Sequence, residues 1–315
     1  MAVVVVGGGI AGIACAVELA TARVAVRVVD RARTVGGRMA SKRIDGRPVD
    51  LGAAYFTVRD PEFAQVVARW RTAGLARPWT SELTVFGGSG ERSRAPGPVR
   101  WAAPAGLRSL VAALAEGLPV ELRHRVERVG PGPAVDGSPA DAVVLAMPDP
   151  QARRLLDDRS PAAALLDGRE WRPVISVAAG WARQEWPPMT AAFVNDHSVI
   201  SLVADDGARR GDGAPVLVAH SVSAVARRYD SCPDDAVAPV LDAVRRLLGL
   251  RSDPVWTHAH RWRYAAPAGD RDRTFHLGDD GIGLAGDGWG SPRIETAWRS
   301  GTDLARSLVE SSIKF

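Results

Sequence analysis

Ala2-Val3-Val4-Val5-Val6 runs without interruption into Gly7-Gly8-Gly9-Ile10-Ala11-Gly12, a helical run continues through Ala20, and Val24-Ala-Val-Arg-Val-Val-Asp30 follows. An apolar β-branched strand, a glycine turn that opens a helix, and a second strand ending in a carboxylate form a βαβ unit suited to a dinucleotide. Gly7 permits the tight strand-to-helix turn. Gly9 lets a pyrophosphate approach the backbone, because no Cβ intervenes. Gly12 lets the helix lie close on the strand. The helix N-terminus adds free N–H groups and a partial positive charge. Asp30 is placed to accept from both hydroxyls of an adenosine ribose, and it would repel a 2′-phosphate.

The unit alone leaves NAD and FAD open, and the flanking sequence separates them. After Asp30 comes Arg31-Ala-Arg-Thr-Val-Gly36-Gly37-Arg38-Met39, a second glycine pair beside a guanidinium, which a simple nicotinamide dehydrogenase does not need. These glycines would let a loop lie against the cofactor, and Arg38 would reach its pyrophosphate. Far along the chain, Gly281-Ile-Gly-Leu-Ala-Gly286-Asp287-Gly-Trp289-Gly-Ser-Pro292-Arg293-Ile294 reads as a short buried strand, a Gly-Asp turn and a helix starting near Pro292. A helix start aimed at a flavin would stabilise negative charge on the reduced ring, with Asp287 bonding the ribityl chain or its surroundings.

The run Val35-Gly-Gly-Arg-Met-Ala-Ser41, the segment Val49-Asp50-Leu-Gly52-Ala-Ala-Tyr55-Phe56-Thr-Val-Arg59-Asp60, His260-Arg-Trp262-Arg-Tyr264 and the Gly286–Trp298 segment together resemble the renalase-type branch of the flavin amine oxidase superfamily. The matches are spread from the first strand to the last helix. The resemblance implies an α/β fold: a discontinuous Rossmann-like FAD-binding domain (1–58, 101–155 and 279–315) and a smaller α+β substrate domain on an antiparallel sheet (59–100 and 156–278). It implies non-covalent FAD, oxidation of misreduced dihydronicotinamide isomers, and dioxygen as acceptor with hydrogen peroxide as product. It also places the Val126 backbone against adenine. The expected cofactor contacts are then Gly7, Gly9, Ala11, Gly12, Asp30, Arg31, Gly37, Arg38, Met39, Val126, Gly286, Asp287, Arg293 and Ile294. One departure stands out: the family pattern Gly-Ala-Gln-Tyr-Phe is here Gly52-Ala-Ala54-Tyr-Phe. A polar side chain is missing beside the expected pocket, which bears on the substrate rather than on the flavin.

Composition agrees with a globular enzyme. The 315 residues are 46% hydrophobic and 24% charged, enough for a large core and two domains. The formal charge of +4 comes from scattered arginines with no long basic block, so nucleic acid is not an expected partner. Cys15 and Cys232 form no Cys-x-x-Cys pair, which argues against disulfide reductases and zinc. Met1–Val6 reads as a strand rather than a signal peptide, since glycines break its apolar run at once and no basic leader precedes it. No apolar stretch approaches ~20 residues, so no membrane association is expected, and cytoplasm is the expected compartment.

Within the middle of the chain, residues 61–74 read as a helix with Phe63, Val66, Val67 and Trp70 on one face, and 106–117 as another. Residues 87–98 read as a flexible hairpin tip or loop, 120–129 as two short strand pieces, and 140–148 as a buried strand with its exit. Between 173 and 264, β-rich runs at 174–181, 198–203 and 215–222 surround one clear helix at 234–248. In the last strand, period-two geometry puts Trp256, His258, His260, Trp262 and Tyr264 on one face, with no third ligand that would make the imidazoles a metal site.

Hydride transfer to a flavin needs stacking and exclusion of water more than a dedicated acid or base. Tyr55, Phe56, Trp262, Tyr264 and Trp289 are the candidates for the walls of such a pocket, around an aromatic or dihydropyridine-like small molecule. The leading expectation is an FAD-dependent oxidase of renalase type. The alternatives are an FAD-dependent amine oxidase or dehydrogenase on a small or specialised metabolite, and a non-catalytic flavin-binding redox sensor. Lys42 and Lys314 do not look placed to hold the water that amine oxidases keep by the flavin, which weakens the second reading slightly.

Overall fold

The valine run Ala2–Val6 is the inner strand of a six-stranded sheet, and its side chains are buried on both faces, as a parallel strand covered on both sides requires. The computed structural model describes residues 1–87, 91–130 and 132–313. The chain divides into two compact units, the first comprising Met1–Arg38, Arg108–Glu170 and the chain from Ala266 onward, the second Met39–Leu107 and Trp171–Ala265. The cuts thus fall at 38, 107, 170 and 265, against the sequence expectation of 58, 100, 155 and 278.

In the first unit the strand order is His276–Leu277, Ile282–Leu284, Ala142–Leu145, Ala2–Val6, Ala25–Asp30, Val120–Leu122. All neighbours are parallel except the first pair. The helix Ile10–Thr21 follows the glycine turn with Ile10, Ile13, Ala14, Cys15 and Leu19 buried. The helix Ile294–Ile313 crosses it so closely that a Cβ on Gly301 would overlap the Ala11 carbonyl oxygen. Ala11 is therefore at a helix crossing, a role the sequence did not announce.

The second unit is built on a seven-stranded sheet ordered Trp256–Pro267, Trp171–Gly180, Val216–Ser221, Ile200–Asp205, Ala191–Val194, Arg77–Phe86, Arg92–Ala102. It is antiparallel where its pairings are resolved, apart from the parallel pair Ala191–Val194 and Arg77–Phe86. One face, with Ile175, Val177, Leu217 and Ala259, packs under Val240, Ala243 and Val244 of the helix Val237–Leu248. On the other face Ala178, Val216, Val218 and Trp256 meet Val49, in the second strand of the hairpin Ser41–Ile44 and Arg47–Asp50, and Leu51 just after it. The helix Pro61–Thr72 starts as expected: Asp60 caps it by accepting from the Glu62 and Phe63 N–H groups, and Phe63, Val66, Val67 and Trp70 are buried.

Two expectations need correction. Residues 92–98 are not loop, because the strand Arg92–Ala102 is held against Arg77–Phe86, and its proline and glycine fall where the register is irregular. Residues 88–90 of that stretch lie outside the described residues. The helix Val237–Leu248 is also not alone in its region, since short helices Asp206–Arg210 and Ser223–Arg228 accompany it, too brief to show a helical period. Among the described residues no helix is long and apolar enough to cross a membrane.

Candidate active site

In the first unit the glycine turn has the geometry its residues imply. Gly7 sits at φ 118°, and a Cβ there would come within 2.5 Å of the Ala146 carbonyl oxygen. At Gly12 the space for a Cβ is occupied by the Gly7 carbonyl and Val5. Gly9 caps the helix with no side-chain bond, and no acidic residue lies in the first turn, so the first N–H groups face no competing anion. Gly37, at φ 51°, faces Gly9 closely enough that a Cβ would lie 3.2 Å from the Gly9 Cα.

Asp30 also fixes the turn itself. Its carboxylate accepts from the Gly8 N–H at 2.6 Å and the Ala32 N–H at 2.7 Å. It thereby ties the glycine turn to the end of the second strand. Its own carbonyl accepts from the His124 N–H, which brings in the segment carrying the buried Val126. Arg31 is exposed nearby.

Arg38 and Asp287 were expected to contact pyrophosphate and ribityl separately. They instead form a bidentate ion pair at 2.8 and 2.5 Å, with side chains 27% and 10% exposed. A fork-shaped donor and a carboxylate that converge in one partly buried spot satisfy each other. Gly286 donates to the Ser300 hydroxyl at 2.9 Å, which fixes the turn to the last helix. Ile294 begins that helix, and Arg293 is exposed just before it.

Trp289 is not a free wall. Its indole is buried in the unit's core, 4.3 Å below the Arg271 guanidinium and stacked with His276 at 6.1 Å. Arg271 is itself paired with buried Asp149 at 2.8 Å, and Arg169 donates to the Gly288 carbonyl. Trp289 acts by holding the 287–289 turn.

In the second unit a strap, residues 50–56, carries two candidate walls. A buried ion cluster holds its start. Arg209 and Arg210 pair with Asp206, Arg210 reaches Asp50 at 3.0 Å, and Arg47 reaches Asp206 at 2.7 Å. Arg209 also donates to the carbonyls of Asp50 and Ala54 at 3.2 and 3.1 Å. Asp50 accepts from Ser41 and from the Leu107 N–H. Burial, helped by the Arg209 charge, pushes the His220 imidazole down to about 4, while its bond to the Gly52 backbone opposes that. This network went unnoticed in the sequence; its only signal is the pairing of adjacent arginines with Asp206 at helical spacing.

Phe56 is another correction. It is 3% exposed and packed against Phe63, Trp70 and Trp101, so it belongs to the core. Tyr55 is half-buried, with Trp79 at 6.4 Å and the Arg100 guanidinium 5.4 Å from its ring centre. Trp262 donates from its indole to the Leu51 carbonyl at 2.7 Å and lies 4.3 Å from the His260 ring. Tyr264 is half-buried two positions on. Lys42 lies 3.2 Å from the His258 imidazole, so one lysine does reach the aromatic strand. Lys314 lies outside the described residues. Burial first, then nearby cations, lowers the pKa of both His258 and His260 and keeps them neutral at pH 7. Met39 is buried just before the hairpin.

The pattern of the family described as flavin containing amine oxidoreductase matches residues 73–309, and that of the NAD(P)-binding Rossmann-like domain matches residues 5–70. Hydroxyneurosporene desaturase from Rubrivivax gelatinosus is 51% identical over 57 residues, which are 18% of this chain and 11% of that protein. Coproporphyrinogen III oxidase from Mycobacterium leprae (strain TN) is 37% identical over 83 residues, 24% of this chain and 18% of that protein. The matched stretch is thus under a fifth of either relative's length. Wild-type putrescine oxidase bound to putrescine has the same fold, with a TM-score of 0.77 over 98% of this chain and 99% of that one at 18% identity. The uncapped helix start and the Cβ-free approach of Gly9 to Gly37 fit the pyrophosphate of FAD.

Proposed function

The chain belongs to the flavin-containing amine oxidoreductase family and is an FAD-dependent oxidoreductase, and on that premise we propose a renalase-type oxidation of a small, flat, anionic donor of the dihydronicotinamide kind. FAD held by the glycine turn of the first unit would supply a two-electron acceptor for the substrate hydride, and its reoxidation would reduce dioxygen to hydrogen peroxide with two electrons and two protons, one derived from the hydride and one from solvent. The observation that carries this reading is the charge of the second unit's aromatic residues. Tyr55 lies under the Arg100 guanidinium, and the strand of His258, His260 and Trp262 has Lys42 beside it. Cations in those places favour an anionic nucleotide and repel an ammonium.

The residues' work is positioning. The Arg209 bonds to Asp50 and Ala54 hold the strap, so Tyr55 meets the substrate in one orientation. The Leu51 carbonyl fixes the Trp262 indole. Pre-set walls remove the entropy of aligning donor and acceptor, and a hydride leaving a dihydropyridine needs no base. The first unit supplies the cofactor's contacts through Gly7, Gly9, Gly37 and the ends of its helices. The second reading is amine oxidation by the same cofactor, which the match to the flavin containing amine oxidoreductase pattern favours.

Anaerobic mixing separates these readings. The expected result is rapid bleaching of the flavin absorbance by 2- or 6-dihydro isomers of NAD, slow or absent bleaching by a panel of primary amines, and one peroxide per substrate on readmitting air. Bleaching by amines alone would transfer the assignment to the alternative. Bleaching by neither class would leave the redox-sensor reading in its place.

A further inference from the structure

Two equally buried sets of arginine side chains in the second unit are treated in opposite ways. Arg209 and Arg210 are matched by Asp50 and Asp206. Arg100 is 8% exposed, yet among the described residues no carboxylate lies within ion-pair distance of it. Its Nε has no acceptor, and one terminal nitrogen reaches only the Pro98 carbonyl, at 3.5 Å. Its remaining contact is the Tyr55 ring. A cation–π contact offsets only a part of what burying an unpaired guanidinium costs.

A second orphan donor stands beside the first. The indole Nε1 of Trp79 is buried without a partner, and Trp79 packs on the same Tyr55 ring. The strands are shaped around these two side chains. Thr80 pairs with Arg100, and the register is irregular on both sides of that pair, so Trp79 is an extra residue on one strand and residues 97–99 bulge from the other. Bulges of this kind re-aim side chains. A Cβ at Gly97 would come 3.2 Å from the guanidinium, so glycine leaves it room. The antiparallel bridge between Phe56 and Trp101 sets Tyr55 diagonally across from Arg100, whose guanidinium lies 5.4 Å from the ring centre.

We propose that Arg100, with Trp79, is an oxyanion subsite that holds a carboxylate or phosphate oxygen of the substrate beside the Tyr55 ring. A guanidinium presents two parallel donors to such a group, and the indole adds a third direction. In taking the occupant to be the substrate, the inference rests on the functional reading above. The subsite itself stands on the orphan donors.

The test is calorimetric titration of the FAD-loaded protein with benzoate and, separately, with inorganic phosphate, comparing wild type, Arg100→Met, Arg100→Lys, Trp79→Phe and the exposed-cation control Arg94→Met. At least one probe binds wild type, and which one identifies the oxyanion. Its Kd rises roughly tenfold to a hundredfold in Arg100→Met, rises less in Arg100→Lys, rises a few-fold in Trp79→Phe, and is unchanged in Arg94→Met. Absence of binding by both probes, equal affinity in wild type and the Arg100 variants, or the same loss in Arg94→Met would overturn the subsite. If Arg100→Met does not retain FAD, Arg100→Lys and Trp79→Phe decide. Anaerobic bleaching by dihydronicotinamide isomers is read on the same wild-type sample. Bleaching without Arg100-dependent binding removes the subsite and keeps the reading, whereas Arg100-dependent binding without bleaching does the reverse.

Discussion

Replacing Arg38 with Met tests whether the first unit's two ends are joined by charge. The pair it breaks links residues 249 positions apart in sequence, with Asp287 only 10% exposed and Arg38 27% exposed. Breaking a fully buried pair costs about 3–5 kcal/mol, because the remaining ion is stranded. Arg38 retains access to water and Asp287 has little, so Arg38→Met should cost about 2–3 kcal/mol. Asp287→Asn, which strands the better-hydrated partner, should cost about 1 kcal/mol. The double variant removes both charges and should be no worse than Arg38→Met alone, leaving a coupling energy of about 1 kcal/mol or more. The measurements are urea unfolding of the apoprotein and FAD affinity by flavin fluorescence quenching, for all four proteins. At about 2–4 °C per kcal/mol for a unit of this size, Arg38→Met should also lower the thermal midpoint by several degrees. Strictly additive effects on FAD affinity would refute the reasoning. They would mean that Arg38 and Asp287 each touch the cofactor independently, as the sequence alone suggested.

His220 provides a pH test. Its folded value of about 4 lies below the ordinary 6.5, so the unfolded chain binds the proton more readily. The contribution is fully present above 6.5 and is lost as pH falls toward 4, by up to about 3 kcal/mol, and a His220→Gln protein should show a flatter stability profile by chemical unfolding in that window. Cys15 is buried with its thiol pushed up to about 12, whereas Cys232 is exposed, so a maleimide at pH 7.5 should label one thiol in the native protein and two after denaturation. Labelling of both in the native state would show that the first helix opens. At the helix crossing, Gly301→Ala places a methyl in the Ala11 carbonyl and should cost about 2 kcal/mol or more in unfolding free energy, whereas Gly117→Ala, with open space but φ 78°, should cost about 1 kcal/mol. Equal losses would mean that the two helices separate at little cost.

The βαβ start was legible because its signals are local. Strand, turn and helix each follow from residues a few positions apart, and at Gly7 and Gly12 the fold leaves no room for a side chain. The helix Pro61–Thr72 was legible for the same reason, with Asp60 before Pro61 and apolar residues at helical spacing. What remained hidden depends on contacts between distant segments. Arg38 looked free for phosphate because its partner lies in the last segment of the chain. Phe56 and Trp289 looked like pocket walls because an aromatic residue near a motif carries no mark of what lies behind it; one packs on Phe63, Trp70 and Trp101, and the other lies with Arg271 and His276. Residues 87–98 read as a hairpin tip or loop, yet 92–98 belong to a bulged strand of that hairpin: glycine and proline signal turns in general, while in a bulged strand they mark the irregular positions.

The missing glutamine at Ala54 gains a different meaning from these contacts. Ala54 is buried among Leu83, Ala191, Leu202 and Ala204, and its carbonyl accepts from Arg209. A long polar side chain at this position would have to displace that apolar cluster or turn out of it, so alanine here is part of the packing that sets the strap. The polar groups left in the second unit sit on other elements: Arg100 and Trp79 on the bulged strands, and Lys42 of the hairpin with His258 of the strand Trp256–Pro267. The Arg100 Nε and Trp79 Nε1 donors lack acceptors, whereas Arg209 and Arg210 under the strap are each paired with a carboxylate. On the proposed subsite, the pair Arg209 and Arg210 fixes the position of Tyr55 through the strap, and Arg100 would select what binds against its ring.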